Sequence, residues 1–285
     1  MPQITIPNLR EKRANGEPIV MVTAYDYPAA RAAERAGVDL VLVGDSGAQV
    51  VLGYPSTVPV STDEMLMMAK AVRRGTESAL LVSDVPFGST EESDAQAVAT
   101  AVRFAKEAGV DAVKLEGGNA SRLSRIRAIV DAGIPVVAHI GLTPQTATAL
   151  GGLRAQGRTT ETAERLVREA FAVAEAGAFL VVIEAVPTGV ADVLRDGLPI
   201  PIIGIGAGPA HGQVLVLHDL LGVTEGNTAK FVKRFGSIGD DTVAALSSYA
   251  AEVRSGAFPG AEHQYSASDE AVAAARAALA AAQAR

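Results

Sequence analysis

Short runs rich in Val, Ile and Leu alternate with alanine-rich stretches of helical period along most of the chain, a pattern open to few architectures. The strand runs are Ile19–Ala24, Leu40–Val43, Ala79–Ser83, Ala112–Leu115, Pro135–His139, Phe179–Glu184, Ile202–Gly204 and Val214–Leu217. Helical patterns lie between them, at Ala29–Ala36, Thr62–Arg74, Glu91–Ala108 and Ala163–Ala176. Four Ala-Gly pairs, ending at Gly37, Gly109, Gly133 and Gly177, each precede a strand. Glycine takes the left-handed cap conformation without steric cost, so each pair predicts a helix end. Eight strands separated by helices within 285 residues predict an α/β fold of the (β/α)8 barrel kind. No GxGxxG follows the first strand, as a doubly wound dinucleotide fold would require. No linker rich in Pro, Gly or Ser divides the chain. The expectation is therefore one barrel domain over residues 1–265, with a further helix at Asp240–Ser255 outside the barrel and an Ala-rich tail over 266–285.

Charge and composition narrow the function classes. Lys and Arg number 25 against 32 Asp and Glu, a formal charge of −7. A surplus of acid speaks against a nucleic-acid backbone or an anionic membrane as partner. No apolar run approaches the roughly 18 residues of a membrane helix, and the opening residues lack the apolar core of a secretory leader. A soluble, cytoplasmic protein is expected. The absence of cysteine excludes thiolate nucleophiles, iron–sulfur clusters and thiolate zinc sites.

The residues that carry chemistry come at the ends of the strand runs. Asp45 follows LVLVG, Asp84 follows ALLVS, Glu116 follows AVKL, His139 ends PVVAH and Glu184 ends LVVI. Parallel strands would bring all five to one mouth, where barrel enzymes place their chemistry. Asp45, Asp84 and Glu116 would repel one another unless a cation joined them, and oxygen-only ligands suit Mg²⁺ or Mn²⁺. The alternative for Asp84 is a cap on the next helix. Lys114 lies on the same strand face as Glu116, either as an internal salt bridge or as the group that holds an anionic substrate. His139 reads equally well as a satisfied buried imidazole. Glu184 ends the most apolar strand, where loss of water raises a carboxyl pKa and makes a competent base. A buried glutamate paired with a cation is the other reading. Gly204-Ile-Gly-Ala-Gly208 stands where some barrels bind phosphate, but it has no basic neighbour, so close backbone packing is the alternative. The same set would suit a barrel enzyme working on another 2-oxoacid, or a barrel that only binds one.

Twelve segments together resemble one family. They are VTAYDYPAA (22–30), LVGDS (42–46), TVPVSTDEM (57–65), AVRRG (71–75), SDVPFGS (83–89), AVKLEGG (112–118), VVAHIGLTPQ (136–145), GGLRAQGR (151–158), VVIEAVP (181–187), IIGIGAGP (202–209), GQVLVLHDLLG (212–222) and AKFVKRF (229–235). Over residues 3–265 the chain is similar to the 3-methyl-2-oxobutanoate hydroxymethyltransferases, also called ketopantoate hydroxymethyltransferases. That resemblance implies a Mg²⁺-dependent enzyme of pantothenate biosynthesis, with one ion per subunit and 5,10-methylenetetrahydrofolate as co-substrate. It passes a hydroxymethyl group to 3-methyl-2-oxobutanoate, giving 2-dehydropantoate and tetrahydrofolate. Carried over position by position, the resemblance implies Asp45, Asp84 and Glu116 at the metal. It implies Asp45, Ser46, Asp84 and Lys114 at the oxoacid and Glu184 as proton acceptor. It also implies a homo-oligomer, a decamer. The chain departs from the family pattern in GAQVVLG after Ser46, in His211, and in GAEHQY at 260–265.

Overall fold

In a computed structural model describing residues 3–226 and 228–284, eight parallel strands close into a barrel in sequence order. They are β1 (Ile19–Thr23), β2 (Leu40–Val43), β3 (Leu80–Asp84), β4 (Ala112–Glu116), β5 (Val136–Gly141), β6 (Leu180–Glu184), β7 (Ile202–Ile205) and β8 (Gly212–Leu215). Helix α1 (Ile6–Asn15) precedes the barrel. Between and after the strands come α2 (Tyr27–Ala36), α3 (Gly47–Val50), α4 (Thr62–Gly75), α5 (Asp94–Arg103), α6 (Ala120–Asp131), α7 (Thr160–Glu175), α8 (Thr188–Gly197) and α9 (Leu217–Leu220). The (β/α)8 expectation holds.

Side chains alternate along each strand between the barrel interior and the layer under the helices. Leu40 and Leu42, Leu80 and Val82, and Leu180 and Val182 pack with Met21, Val137 and Val214 in one cluster. Val41, Val43, Leu81, Val113, Leu115, Val181 and Ile183 belong to a second cluster that includes the helix residues Met65, Phe104, Ile129 and Leu166. Continued up β3, β4 and β6, the inward column ends at Asp84, at Lys114 and Glu116, and at Glu184. The apolar core therefore fills the barrel up to the level at which the polar residues begin.

All four anticipated cap glycines have positive φ: Gly37 at 72°, Gly109 at 67°, Gly133 at 88° and Gly177 at 103°. The predicted helix Glu91–Ala108 divides in two. Its α-helical part starts after Ser93, whose side chain caps Gln96 N, and its last turn, Phe104–Ala108, widens to a π-helical turn. The eighth strand starts two residues before its predicted position because the barrel closes at a glycine. Gly212 pairs with Ile19, and a side chain there would collide with the Ile19 backbone. Helix α1 went unanticipated because Ile6 and Leu9 are its only large apolar residues. Leu9 is nonetheless fully buried among the strand starts. Around it, Ile4 N donates to Ser78 O at 2.7 Å, Arg13 Nη2 donates to Leu198 O at 2.6 Å, and Lys12 pairs with Asp39 at 2.7 Å. Leu9 thus plugs the end of the barrel opposite the acids, and truncating such a leucine costs about 2–5 kcal/mol.

The chain divides into two compact units, Met1–Gly236 and Ser237–Arg285, whereas the sequence reading placed its division at 265/266. The second unit contains α10 (Ile238–Ser255) and α11 (Asp269–Gln283). Asp240–Ser255, read from sequence as a helix, forms most of α10, and a short aromatic cluster links it to the chain that follows. Phe258 stacks against Tyr249 at 5.7 Å and against His263 at 5.2 Å. Neither helix has a buried residue. The tail's last residue, Arg285, lies outside the described residues.

Candidate active site

The mouth at the strand C-termini holds a cavity of about 190 Å³, lined by Asp45, Ser46, Asp84, Lys114, Glu116, His139 and Glu184. The five strand-end residues picked out from the sequence are therefore brought together with Ser46 and Lys114. Strand register explains the arrangement. Asp84 stands opposite Lys114, Glu116 opposite His139, and Glu184 opposite Gly141. In-register residues of parallel strands share a face, so each cation meets an acid. Lys114 Nζ lies 2.9 Å from Asp84 Oδ1, and His139 Nδ1 lies 3.1 Å from Glu116 Oε1. Asp84 Oδ2 accepts from the backbone N of Asp45 at 3.0 Å, which ties the loop after β2 to β3. Ser46 Oγ is 2.9 Å from the Tyr25 hydroxyl. The capping alternative for Asp84 falls, because Ser93 caps α5.

Asp45, Asp84, Lys114, Glu116 and His139 are all buried, and burial drives their electrostatics. Burial, then the nearby charges of Asp84 and Glu116, push the Asp45 carboxyl up to about 8. Burial also raises Asp84, against the pull of Lys114. Burial alone would lower Lys114, yet Asp84, Glu116 and Asp45 hold it above the ordinary lysine value. Burial would raise Glu116, but His139 and Lys114 bring it below its usual range. His139 is lowered by burial and by Lys114, but Glu116 and Glu184 outweigh both and lift it to about 9. Its Nδ1 also lies 3.0 Å from Lys114 Nζ. One nitrogen cannot accept from lysine and donate to a carboxylate at once. A protonated ring donates to Glu116, which leaves the lysine directed at Asp84.

Glu184 shows features of both readings made from the sequence. Its side chain stays 15% accessible, and its Oε2 lies 3.2 Å from His139 Nε2, a contact without hydrogen-bond geometry. Two backbone features fix it. Gly141, at φ 91°, passes so close to Glu184 that a side chain there would strike its backbone. Ala185, next in the chain, has φ 50°, a strained left-handed conformation of the sort that collects at functional sites.

The donor set fits a hard divalent cation. Four carboxylates face one lysine and one histidine, burial and the neighbouring acids hold Asp45 back from ionising, and the buried Asp84 Oδ1 has no donor besides Lys114. Among the described residues no three His, Asp or Glu side chains enclose an ion by themselves. Both Glu116 oxygens are already engaged, Oε1 by His139 and Oε2 by Gln145 N at 3.0 Å. An ion here would rest on Asp45 and Asp84 and keep open positions.

Residues 3–261 match the family model described as ketopantoate hydroxymethyltransferase. The chain belongs to the ketopantoate hydroxymethyltransferase family. A 3-methyl-2-oxobutanoate hydroxymethyltransferase of Moorella thermoacetica is 52% identical over 264 residues, covering 92% of this chain and 98% of that protein. One of Rhodococcus jostii is 53% identical over 260 residues, covering 90% and 89%. A mitochondrial one of Arabidopsis thaliana is 51% identical over 267 residues, covering 92% and 77%. This ketopantoate hydroxymethyltransferase family member is an enzyme of the hydroxymethyltransferase class. Among solved structures, a phosphoenolpyruvate phosphomutase from Streptomyces platensis subsp. rosaceus superposes with a TM-score of 0.60 at 20% identity, over 88% of both chains. A phosphonopyruvate hydrolase in complex with oxalate and Mg²⁺ gives 0.59 at 16%, over 90% of this chain and 92% of that one. At these identities the likeness is one of fold.

Two residues at this mouth escaped the sequence reading. Gln145 Nε2 donates to Asp45 Oδ2 at 2.9 Å and to Val85 O at 3.0 Å. With its backbone bond to Glu116, it joins the loops after β2, β3 and β5 to the end of β4. Its only signal was its place in HIGLTPQ. Thr57 lines the same cavity, and its buried hydroxyl has no hydrogen-bond partner. In the glycine segment after β7, Gly206 packs on the Phe231 ring and Gly208 on Thr188. Close packing accounts for that motif.

Proposed function

We propose that the chain transfers a hydroxymethyl group from 5,10-methylenetetrahydrofolate to 3-methyl-2-oxobutanoate, with one Mg²⁺ per subunit, giving 2-dehydropantoate and tetrahydrofolate for pantothenate biosynthesis. The observation that carries this reading is one cavity in which a partly accessible carboxylate, Glu184, faces the buried Asp45, Asp84 and Lys114. That is a proton acceptor beside a site for an oxoacid dianion in its enolised form. Relatives named for 3-methyl-2-oxobutanoate supply the substrate.

Mg²⁺ is held by one or two carboxylates and retained water, which suits Asp45 and Asp84, with Glu116 as the acid behind them. When bound, the ion supplies Lewis-acid polarisation of the substrate's keto and carboxylate oxygens. Ser46 and the backbone at Asp45 orient the oxoacid carboxylate. Lys114 balances charge at Asp84 and at the substrate, holding the reacting carbon in place. Glu184 takes the C3 proton. His139, already bonded to Glu116, steadies Glu184 at 3.2 Å. The deprotonated C3 bonds to the methylene carbon as the first of its two bonds to folate nitrogen breaks. Water then displaces the second nitrogen and leaves its hydroxyl on that carbon, while the C3 proton and the water's other proton end on the two freed nitrogens of tetrahydrofolate. Val182, Ile205 and Val214 form the apolar walls of the cavity.

Assembly as a homo-oligomer, a decamer, belongs to the same proposal. Val243, Leu246 and Val253 form an exposed stripe at helical spacing on α10, and such a stripe calls for a partner surface. A cytoplasmic setting is proposed with it. No helix among the described residues is long and apolar enough to cross a membrane.

The test is deuterium exchange at C3 of 3-methyl-2-oxobutanoate, followed by NMR with Mg²⁺ and no folate, alongside turnover with methylenetetrahydrofolate. Exchange without folate and hydroxymethylation only with it are expected. Product formation independent of the folate, or no exchange at saturating oxoacid, would refute the reading.

A further inference from the structure

One wall of the cavity comes from outside the strands. Phe231 lines it, with part of its ring seated on Gly206 and 36% of the residue still exposed. The chain that carries it, Ala229–Phe235, is fastened to the barrel by Phe235 N donating to Leu220 O at 2.7 Å, and it turns on itself through Val232 N and Ala229 O at 2.9 Å. This segment inverts the charge of its surroundings. Lys230, Lys233 and Arg234 occupy three of five consecutive positions with no acid among them, in a chain of formal charge −7. All three are exposed. Lys233 Nζ lies 4.8 Å over the Phe235 ring, and none of the three joins an ion pair among the described residues. Beside them the cavity is rich in acid. A long anion would be repelled from the interior and drawn to this rim.

We propose that residues 229–235 form the docking surface for the folate donor. Phe231 offers an aromatic face to the fused ring next to the reacting methylene. Lys230, Lys233 and Arg234 receive the carboxylates of the glutamyl tail. Donors with longer γ-glutamyl tails therefore bind more tightly. This inference rests on the donor proposed above and adds the site and the tail specificity. Phe231 supplies a planar apolar contact and the cations a screened, non-directional attraction, so the two parts respond differently to salt and to substitution.

The experiment uses the full chain and titrates it calorimetrically with tetrahydrofolate bearing one or three glutamates, with folate-free C3 exchange as the control. Wild type is expected to favour the triglutamyl form, and added salt to narrow that preference. In K230E/K233E/R234E the preference should vanish, the Kd of the triglutamyl form rising on the order of tenfold, with C3 exchange unchanged. K230Q/K233Q/R234Q should move the same way by less, which keeps the test decisive if charge reversal prevents folding. Phe231→Ala should weaken both forms by a similar factor and so leave the ratio of their Kd values at the wild-type figure. Equal affinity of wild type for the two forms would overturn the tail site alone. So would an unchanged ratio of the two Kd values in the charge variants. A wild type that exchanges C3 but binds neither form would overturn the donor assignment itself.

Discussion

Replacing Lys114 by Met tests the charge balance on which the site depends. The two side chains of the Lys114–Asp84 pair are 4% and 5% accessible and 2.9 Å apart. Met keeps most of the apolar stem, so the substitution removes charge more than packing. Breaking a buried pair from one side costs about 3–5 kcal/mol, because the remaining charge is left desolvated and uncompensated. Here the upper part of that range applies, since Asp84 Oδ1 has no hydrogen-bond donor to fall back on and Asp45 and Glu116 add repulsion. Urea unfolding followed by circular dichroism, in EDTA and at fixed protein concentration, should report this loss. Lys114→Met/Asp84→Asn should recover most of it, a coupling that a double-mutant cycle isolates. Mg²⁺ should stabilise Lys114→Met more than wild type, because the ion would meet a carboxylate set lacking its internal counter-charge. A loss below about 1 kcal/mol, or no recovery in the double variant, would show that the lysine is not what neutralises the acids.

Glu184→Gln keeps size and hydrogen-bonding capacity but not the base; C3 exchange and turnover should fall together by about 10²–10⁴-fold while calorimetry still detects oxoacid binding, and exchange at the wild-type rate would move the base elsewhere. Asp84→Asn should weaken the activation constant for Mg²⁺, excess ion restoring part of the rate; a variant indifferent to Mg²⁺ concentration would remove Asp84 from the metal. Glu34 accepts from the backbone N–H groups of Ser78, Glu77 and Ala79. Burial pulls the other way, but these bonds and the Ser78 hydroxyl hold its carboxyl below the usual glutamate value. Its stabilisation is therefore complete above the unfolded value of about 4.3 and lost as pH falls through the lower folded one; the stability gap between wild type and Glu34→Gln, from urea titrations across pH, should close on acidification, and a gap that does not change with pH would contradict this. Truncation after Ser266 removes α11, which buries no residue, so kcat should hardly change; a drop of about tenfold or more, near 1.4 kcal/mol of barrier, would bring the tail to the site.

Local pattern carried much of the fold. Strand runs, helix periodicity and the four cap glycines each reflect short-range chemistry, so their positions were readable to within three residues. Misplaced features were those decided by distant neighbours. The eighth strand starts at Gly212 because Ile19, far away in sequence, leaves room only for a glycine. Helix α1 has almost no amphipathic pattern and is held by one buried leucine and three polar ties to loops elsewhere. At the site, the acids were legible because a strand-terminal carboxylate is conspicuous after an apolar run. Gln145 was not, since a neutral amide in a loop carries no signal until its partners, Asp45, Val85 and Glu116, are in place.

The register of the barrel also bears on how four acids divide their labour. Parallel pairing sets Lys114 beside Asp84 and His139 beside Glu116, so two of the carboxylates have a cation supplied by a neighbouring strand. Asp45, in the loop after β2, and Glu184, at the end of β6, have no such in-register cation. Asp45 is left protonation-prone by burial and by the charges of Asp84 and Glu116, a condition that a divalent ion relieves. Glu184 is more open to the cavity and meets only the far nitrogen of an imidazole already bonded to Glu116. It keeps an accessible oxygen while the others are engaged. In the proposed reaction one unbalanced acid therefore goes to the ion and the other to the proton. Shifting β4 by one residue would turn Lys114 and Glu116 out of the cavity together, removing the cation that opposes the effect of burial on Asp84.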